Sequence, residues 1–269
     1  WWYFGVLVAI YVIALAVFWP PPGQAPSANV FLVLMYAPAI GALAAHFVAG
    51  ARIQWGWPNW WILAAFVPAT IVLGVDLAAA ALGWVQLVPG LLIGNLIASP
   101  MAIGMSALLA FGEELGWRGF LWPTLRRRYS FYQVSAMVAV VWLIFHVPLM
   151  LFGWYGSISG LPAFAVGLVG AVLFAGVLTD RSRSVWPSVF FHGTWNALVA
   201  TSFASKVKGP AFEGSDTLLG EFGWLAVGTM LIVGIVASVI HTRNGAGRPV
   251  DAAVATATPV ESPEAARLS

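Results

Sequence analysis

Six side chains in this sequence have the types and spacing for acid–base chemistry. They are Glu113, His146, His192 and Asn196, with Glu114 and Arg118 beside the first. A carboxylate moved into a low-dielectric pocket becomes a stronger general base. An imidazole can share a water with it, or bind a metal through a neutral nitrogen. A second imidazole and a carboxamide N–H can donate to a developing oxyanion. Together such groups hydrolyse an acyl bond with an activated water and no covalent intermediate.

The spacing supports a common site. Glu113, Glu114 and Arg118 crowd into Ala110-Phe-Gly-Glu-Glu-Leu-Gly-Trp-Arg-Gly119, an otherwise apolar stretch. A charge near the middle of a bilayer costs about 2.5–3.5 kcal/mol. Three unpaired charges would cost on the order of 8–10 kcal/mol, as much as the stability of a whole domain. Glu114 and Arg118 are four residues apart and can pair along one helix, which lowers the cost of both. Glu113 is rotated by about 100° from Glu114 and is free to face the bundle interior. His192 and Asn196 share one helix face by the same spacing.

These residues need rigid elements at membrane depth to hold them. The chain has 269 residues, of which 61% are hydrophobic and only 8% charged. A soluble domain has about a quarter charged residues, so this is an all-α polytopic membrane protein. Its 15 Trp and 17 Phe suit a lipid-facing surface with interfacial aromatic belts. A net charge of +2 without a basic patch argues against nucleic acid as a partner. The absence of cysteine removes disulfides, thiolate nucleophiles and Cys-based metal sites.

Apolar runs predict eight spans, at 1–19, 29–50, 59–83, 97–122, 131–152, 161–179, 185–204 and 221–241. They form a single transmembrane domain over 1–241. Residues 84–96 read either as a re-entrant piece or as an N-terminal extension of the fourth span. Residues 242–269, rich in Ala, Thr, Pro and Glu, read as a disordered tail. Loop arginines alternate with empty loops: Arg52, Arg126–128, Arg181 and Arg183, then Arg243 and Arg248. The positive-inside rule then puts both termini and the tail in the cytoplasm. Lys206 and Lys208 break the alternation, in company with Glu213, Asp216 and Glu221. Counted from the cytoplasmic helix ends, Glu113, His146, His192 and Asn196 lie roughly 14, 22, 10 and 17 Å deep. One layer of the membrane can contain all four.

At these positions the sequence resembles the CAAX-protease and bacteriocin-processing family, also called Abi, whose relatives include the type II CAAX prenyl endopeptidases. The family pattern is Glu-Glu-x-x-x-Arg, an aromatic-x-x-x-His and His-x-x-x-Asn, each on its own membrane helix. The chain supplies Glu113-Glu114-x-x-x-Arg118, Trp142-x-x-x-His146 and His192-x-x-x-Asn196. Trp142 replaces the more usual Phe, a departure expected to touch no catalytic atom.

The resemblance covers a catalytic core at about 97–204 and implies an intramembrane endopeptidase with a conical cavity, in a bacterial or archaeal plasma membrane. Glu113 and His146 would activate the water, His192 and Asn196 would form the oxyanion hole, and Glu114 and Arg118 would support them. Members are described both as metalloproteases and as glutamate-dependent enzymes, and Glu113, His146 and His192 are the candidate Zn²⁺ ligands. The implied partners are membrane lipid and a peptide or membrane-anchored protein, with the site opening toward the cytoplasmic half. The sequence leaves the oligomeric state open.

Two other classes compete. Glu–His–Arg chains in membranes also carry protons, as in a proton relay or proton-coupled transporter. No internal duplication of the transporter kind stands out. A non-catalytic scaffold or immunity protein could keep the pocket as a remnant. Other intramembrane hydrolases fit worse: there is no His-Glu-x-x-His, and Ile158 holds the nucleophile position in Gly156-Ser-Ile-Ser-Gly160. His46 and Asp76 match no motif and read as structural polar contacts. Arg126–128 read as a topology signal, and Gly167, Ala171 and Ala175 as a close-packing stripe.

Overall fold

The computed structural model describes residues 1–21, 24–199, 204–206 and 215–251. The protein is an all-α polytopic membrane protein. Its long helices are α1 (Trp2–Phe18), α2 (Ala28–Ala49), α3 (Trp61–Ala81) and α4 (Pro89–Gly116). A π-helical turn, Trp117–Leu121, joins α4 to the short α5 (Trp122–Arg126). Then come α6 (Phe131–Leu151), α7 (Leu161–Ser182), α8 (Trp186–Val199), the short α9 (Ser215–Leu218) and α10 (Trp224–His241). Among the described residues, six segments, five of them built on α2, α3, α6, α7 and α10 and one on continuous α4–α5, are long and apolar enough to cross a bilayer. Of the eight expected spans, the first and seventh correspond to the shorter α1, of 17 residues, and α8, of 14.

Of residues 84–96, the part from Pro89 on extends the fourth span, since α4 begins there, where a missing N–H costs nothing. Ahead of it, β1 (Val85–Leu87) pairs antiparallel with β2 (Ala204–Lys206) in a two-stranded ribbon. The ribbon ties the start of α4 to the chain beyond α8.

The helices run alternately between two ends of the bundle. One end gathers the loop at 50–60, the turn at 127–130, the turn at 183–185 and the end of α10, and with them the loop arginines. We call it the arginine end. The other, far end gathers the turns before α2, α4, α7 and α10, where Trp19 packs on Phe152 and Trp154.

Small residues decide how closely the helices approach. A Cβ on Gly193 would lie 2.6 Å from Ala107 Cα, so α8 lies directly on α4. Gly170 and Gly234 meet where α7 crosses α10, and a Cβ on Gly167, the first residue of the stripe read in α7, would lie 2.9 Å from Val227 Cγ1 of α10. The largest buried cluster joins α1, α2, the π turn, α6 and α7, centred on Trp117, Trp122, Phe131 and Trp142.

Two readings of the loops need correction. Arg126 is not merely a topology signal. It is buried, and its guanidinium donates to Asp180 Oδ2 at 2.9 Å and to the carbonyls of Tyr129, Ala246 and Arg248 at 2.8–3.1 Å. Asp180 also accepts from Trp122 Nε1 at 2.7 Å. The described start of the expected tail is likewise held. Residues 242–246 continue α10 as a wide turn, and Phe131 N–H donates to Gly247 O at 3.0 Å. The rest of that tail, 252–269, lies outside the described residues. His46 has the structural role expected of it, with a ring nitrogen donating to Ala51 O at 2.7 Å at the end of α2.

Arg126→Ala should therefore destabilise the protein by about 3 kcal/mol, because four acceptors lose a charged donor. Thermal unfolding in detergent is the check. Arg127→Ala, an exposed neighbour, should leave the midpoint unchanged.

Candidate active site

The site forms where α4 ends against α6 and α8. Glu113 and Glu114 occupy the last turn of α4 and are almost wholly buried. The π turn that follows keeps Trp117 and Arg118 on the same side as the carboxylates; such wide turns often occur at functional positions. Arg118 Nη1 donates to Glu114 Oε1 at 3.0 Å, the pairing expected from their spacing. The guanidinium carbon lies 4.4 Å above the Trp142 ring, a cation–π contact in a dry environment. Arg118 Nε and Nη2 and Glu114 Oε2 have no hydrogen-bond partner among the described residues. The arginine is thus held by one carboxylate oxygen and one aromatic face.

Trp142 overturns the expectation set for it. Its indole N–H donates to Glu113 Oε2 at 2.7 Å, and Trp117 Nε1 reaches the same oxygen at 3.3 Å. A phenylalanine could make neither the bond nor an equivalent one. The aromatic position of the second motif therefore grips the acid of the first, while its ring covers the arginine. The signal was present in the sequence, since an indole at membrane depth seeks an acceptor and Glu113 was available.

His192 is oriented from the same cluster. Its Nδ1 lies 2.9 Å from Glu114 Oε1, so an N–H there donates to the carboxylate and Nε2 is turned to the other side. His146 Nδ1 lies 2.9 Å from Trp142 O, and a carbonyl only accepts. The ring must carry its proton on Nδ1, which leaves Nε2 as the lone-pair atom in the neutral form.

A cavity of about 60 Å³, measured to water centres, lies against these rings and has room for more than one water. His146, His192, Asn196 and Trp142 line it, with Tyr155, Phe164, Trp195 and Glu221. The structure therefore brings both histidines and the asparagine to one space. Glu113 is not on its wall. It reaches the wall only through Trp142, whose indole donates to its Oε2.

The cavity is lined from the second half of α6, the first half of α7, the middle of α8 and the approach to α10.

Glu221 is a pocket residue that sequence reading missed. It was counted only as a loop charge, because it belongs to none of the three motifs. Tyr155 OH donates to Glu221 Oε1, and the Tyr155 ring packs 5.4 Å from that of His146. Burial pushes the Glu221 carboxyl above its usual range, against the opposing pull of the Tyr155 hydroxyl and of His192.

The expected metal set does not assemble. Among the described residues no three His, Asp or Glu side chains form a group that could hold a metal ion. Glu113 accepts from the two indoles, while His146 and His192 line the cavity without it.

The Glu114–Arg118 pair carries a clear energetic signature. Glu114→Gln or Arg118→Met alone should each destabilise by about 3–5 kcal/mol, since each leaves a buried charge alone. The double variant should be milder than the sum of the two. A double-mutant cycle of denaturation midpoints tests this.

Comparisons with known proteins meet this geometry in the same segment. The family model described as type II CAAX prenyl endopeptidase Rce1-like matches residues 95–198. That span holds all six motif residues. CAAX prenyl protease 2 of Methanococcus maripaludis is 27% identical over 97 residues, covering 32% of this chain and 34% of that protein. The chain thus spans about a third of the length of the curated relative it matches. Through residues 95–198, which carry all three motifs, the chain is similar to the CAAX protease family.

Proposed function

We propose that the protein is an intramembrane endopeptidase that hydrolyses a peptide bond with a water activated by Glu113 and His146. The observation that carries this reading is the shared cavity of His146, His192 and Asn196, with a fixed acid one side chain behind it. His146, protonated on Nδ1, presents Nε2 to hold the water. Glu113, anchored through Oε2 by the two indoles, takes the proton. The hydroxide adds to the scissile carbonyl. Its developing oxyanion is met by the Asn196 carboxamide and by Nε2–H of a His192 imidazolium, whose charge Glu114 balances. Glu113 returns the proton to the leaving amine. Atoms and charges balance over this cycle without a covalent intermediate.

The family match supports a protease, and the peptide or membrane-anchored substrate follows from that reading. A bacterial or archaeal membrane goes with the same reading, and the loop arginines support the cytoplasmic placement of both termini.

Glu113→Gln keeps the shape and removes the base. It should lower kcat/KM for a cleaved peptide by at least a thousandfold with an unchanged unfolding midpoint. Asn196→Ala should lower kcat by about 10²–10³-fold, the usual cost of one oxyanion donor. Normal cleavage by Glu113→Gln would rule out the mechanism. Proton flux in proteoliposomes that depends on Glu113, without proteolysis, would favour a relay instead.

A further inference from the structure

A second hollow lies away from the site, between α6 and α10, with α7 as its floor. Its volume is about 330 Å³, well above that of the cavity beside His146. All three helices belong to segments apolar enough to cross a bilayer, so the hollow lies at membrane depth. It exists because α6 is too lean to fill it. Gly170 and Gly234 bring α10 tightly onto α7, and at the arginine end the Phe131 ring packs 5.1 Å from that of His241. Beyond that contact one face of α6 offers Ser135, Ala136 and Ala139 to the gap.

The wall is apolar in spite of its serines. Ser135 Oγ–H turns back to Phe131 O at 2.9 Å, and Ser238 Oγ–H to Ile235 O at 2.8 Å, so neither hydroxyl needs a partner in the hollow. Leu173 forms the floor. Ala136, Val169 and Ile235 border the hollow and are exposed, which makes it a groove open along its side. An unfilled groove forfeits dispersion contacts, and in a bilayer hydrocarbon restores them.

The margin at the arginine end is polar and basic. Tyr132 OH and Thr242 Oγ1 meet there at 3.3 Å. Arg243 follows Thr242, one helical turn beyond Val239 of the groove wall. Arg128 lies in the turn that leads into α6. Arg126 and Arg127 are paired with Asp180 and Asp251. Arg128 and Arg243 are exposed and make no ion pair among the described residues, so their charge is available to an anion.

We propose that this groove binds a phospholipid of net negative charge, with an acyl chain against Ala136, Ala139 and Leu173 and the phosphate at Arg128 and Arg243. A guanidinium receives a phosphate through paired N–H donors. A zwitterionic lipid fills the groove equally well but brings its own cation to the arginines. The chain thus anchors and the headgroup selects. The proposal is independent of the peptidase reading. Ala139 stands three residues before Trp142, so the bound chain braces the helix that carries Trp142 and His146.

The probe is phosphatidylglycerol with a diazirine in one acyl chain, mixed into phosphatidylcholine vesicles that hold the whole protein. Illumination and peptide mapping should place adducts chiefly on 132–139, 169–173 and 235–239. Unlabelled phosphatidylglycerol should suppress them about tenfold more effectively than phosphatidylcholine with the same chains, in keeping with two arginines near an anionic headgroup. Arg128→Gln combined with Arg243→Gln should erase that preference while adducts remain in the groove. Ala136→Phe, or the milder Ala136→Leu, should remove the groove adducts whatever the headgroup, at an unchanged unfolding midpoint. Adducts spread evenly over the lipid-facing helices overturn the proposal, as does equal competition by the two lipids. So does a groove that takes no adduct, whether a second copy of the chain or residues 252–269 fill it instead. Groove labelling that survives both Ala136 variants overturns it as well.

Discussion

A guanidinium wholly withdrawn from solvent sets the terms for everything around it. Arg118 has one ionic partner, Glu114, and one aromatic face, Trp142. Each of these reaches onward: Glu114 Oε1 to His192 on α8, and the Trp142 indole to Glu113. One buried cation therefore connects α4, α6 and α8 through partners that also touch the acid and a histidine of the site. Breaking a desolvated pair is far more costly than making it is favourable. The arrangement thus has few ways to relax without losing all its contacts together.

Much of the architecture could be read before any coordinates. Apolar run lengths located the long helices other than α4 to within a few residues, because a bilayer demands whole helices with internally satisfied backbones; α4 begins eight residues before its expected span. The four-residue spacing of Glu114 and Arg118 foretold their contact, since helix geometry alone determines it. The site resisted reading where contacts pass between helices. Nothing in the spacing shows that Trp142 would turn its N–H onto Glu113, or that Arg126 would be buried against carbonyls more than a hundred positions away. Glu221 escaped for the same reason. Its neighbours in sequence are a polar loop, and only the packing of Tyr155 and Phe222 draws it to the cavity.

Helix ends, rather than helix centres, decide how the site meets its surroundings. The arginine end is dense because a run of large aromatics coincides with a widened turn and a crossing loop. At the far end Gly156 and Gly160 let the α6–α7 loop settle against Phe222 without a side chain between. Gly156 in addition adopts a positive φ that other residues disfavour. The same fold thus has one face built from interlocked rings and another built from short turns.

The clamp by Arg126 has an evolutionary corollary. Its hold on the stretch after α10 is through the carbonyl oxygens of residues 246 and 248 alone, which every amino acid possesses. Selection for that anchor constrains the path of the main chain and leaves the letters at those two positions free to drift, so long as the arginine itself stays.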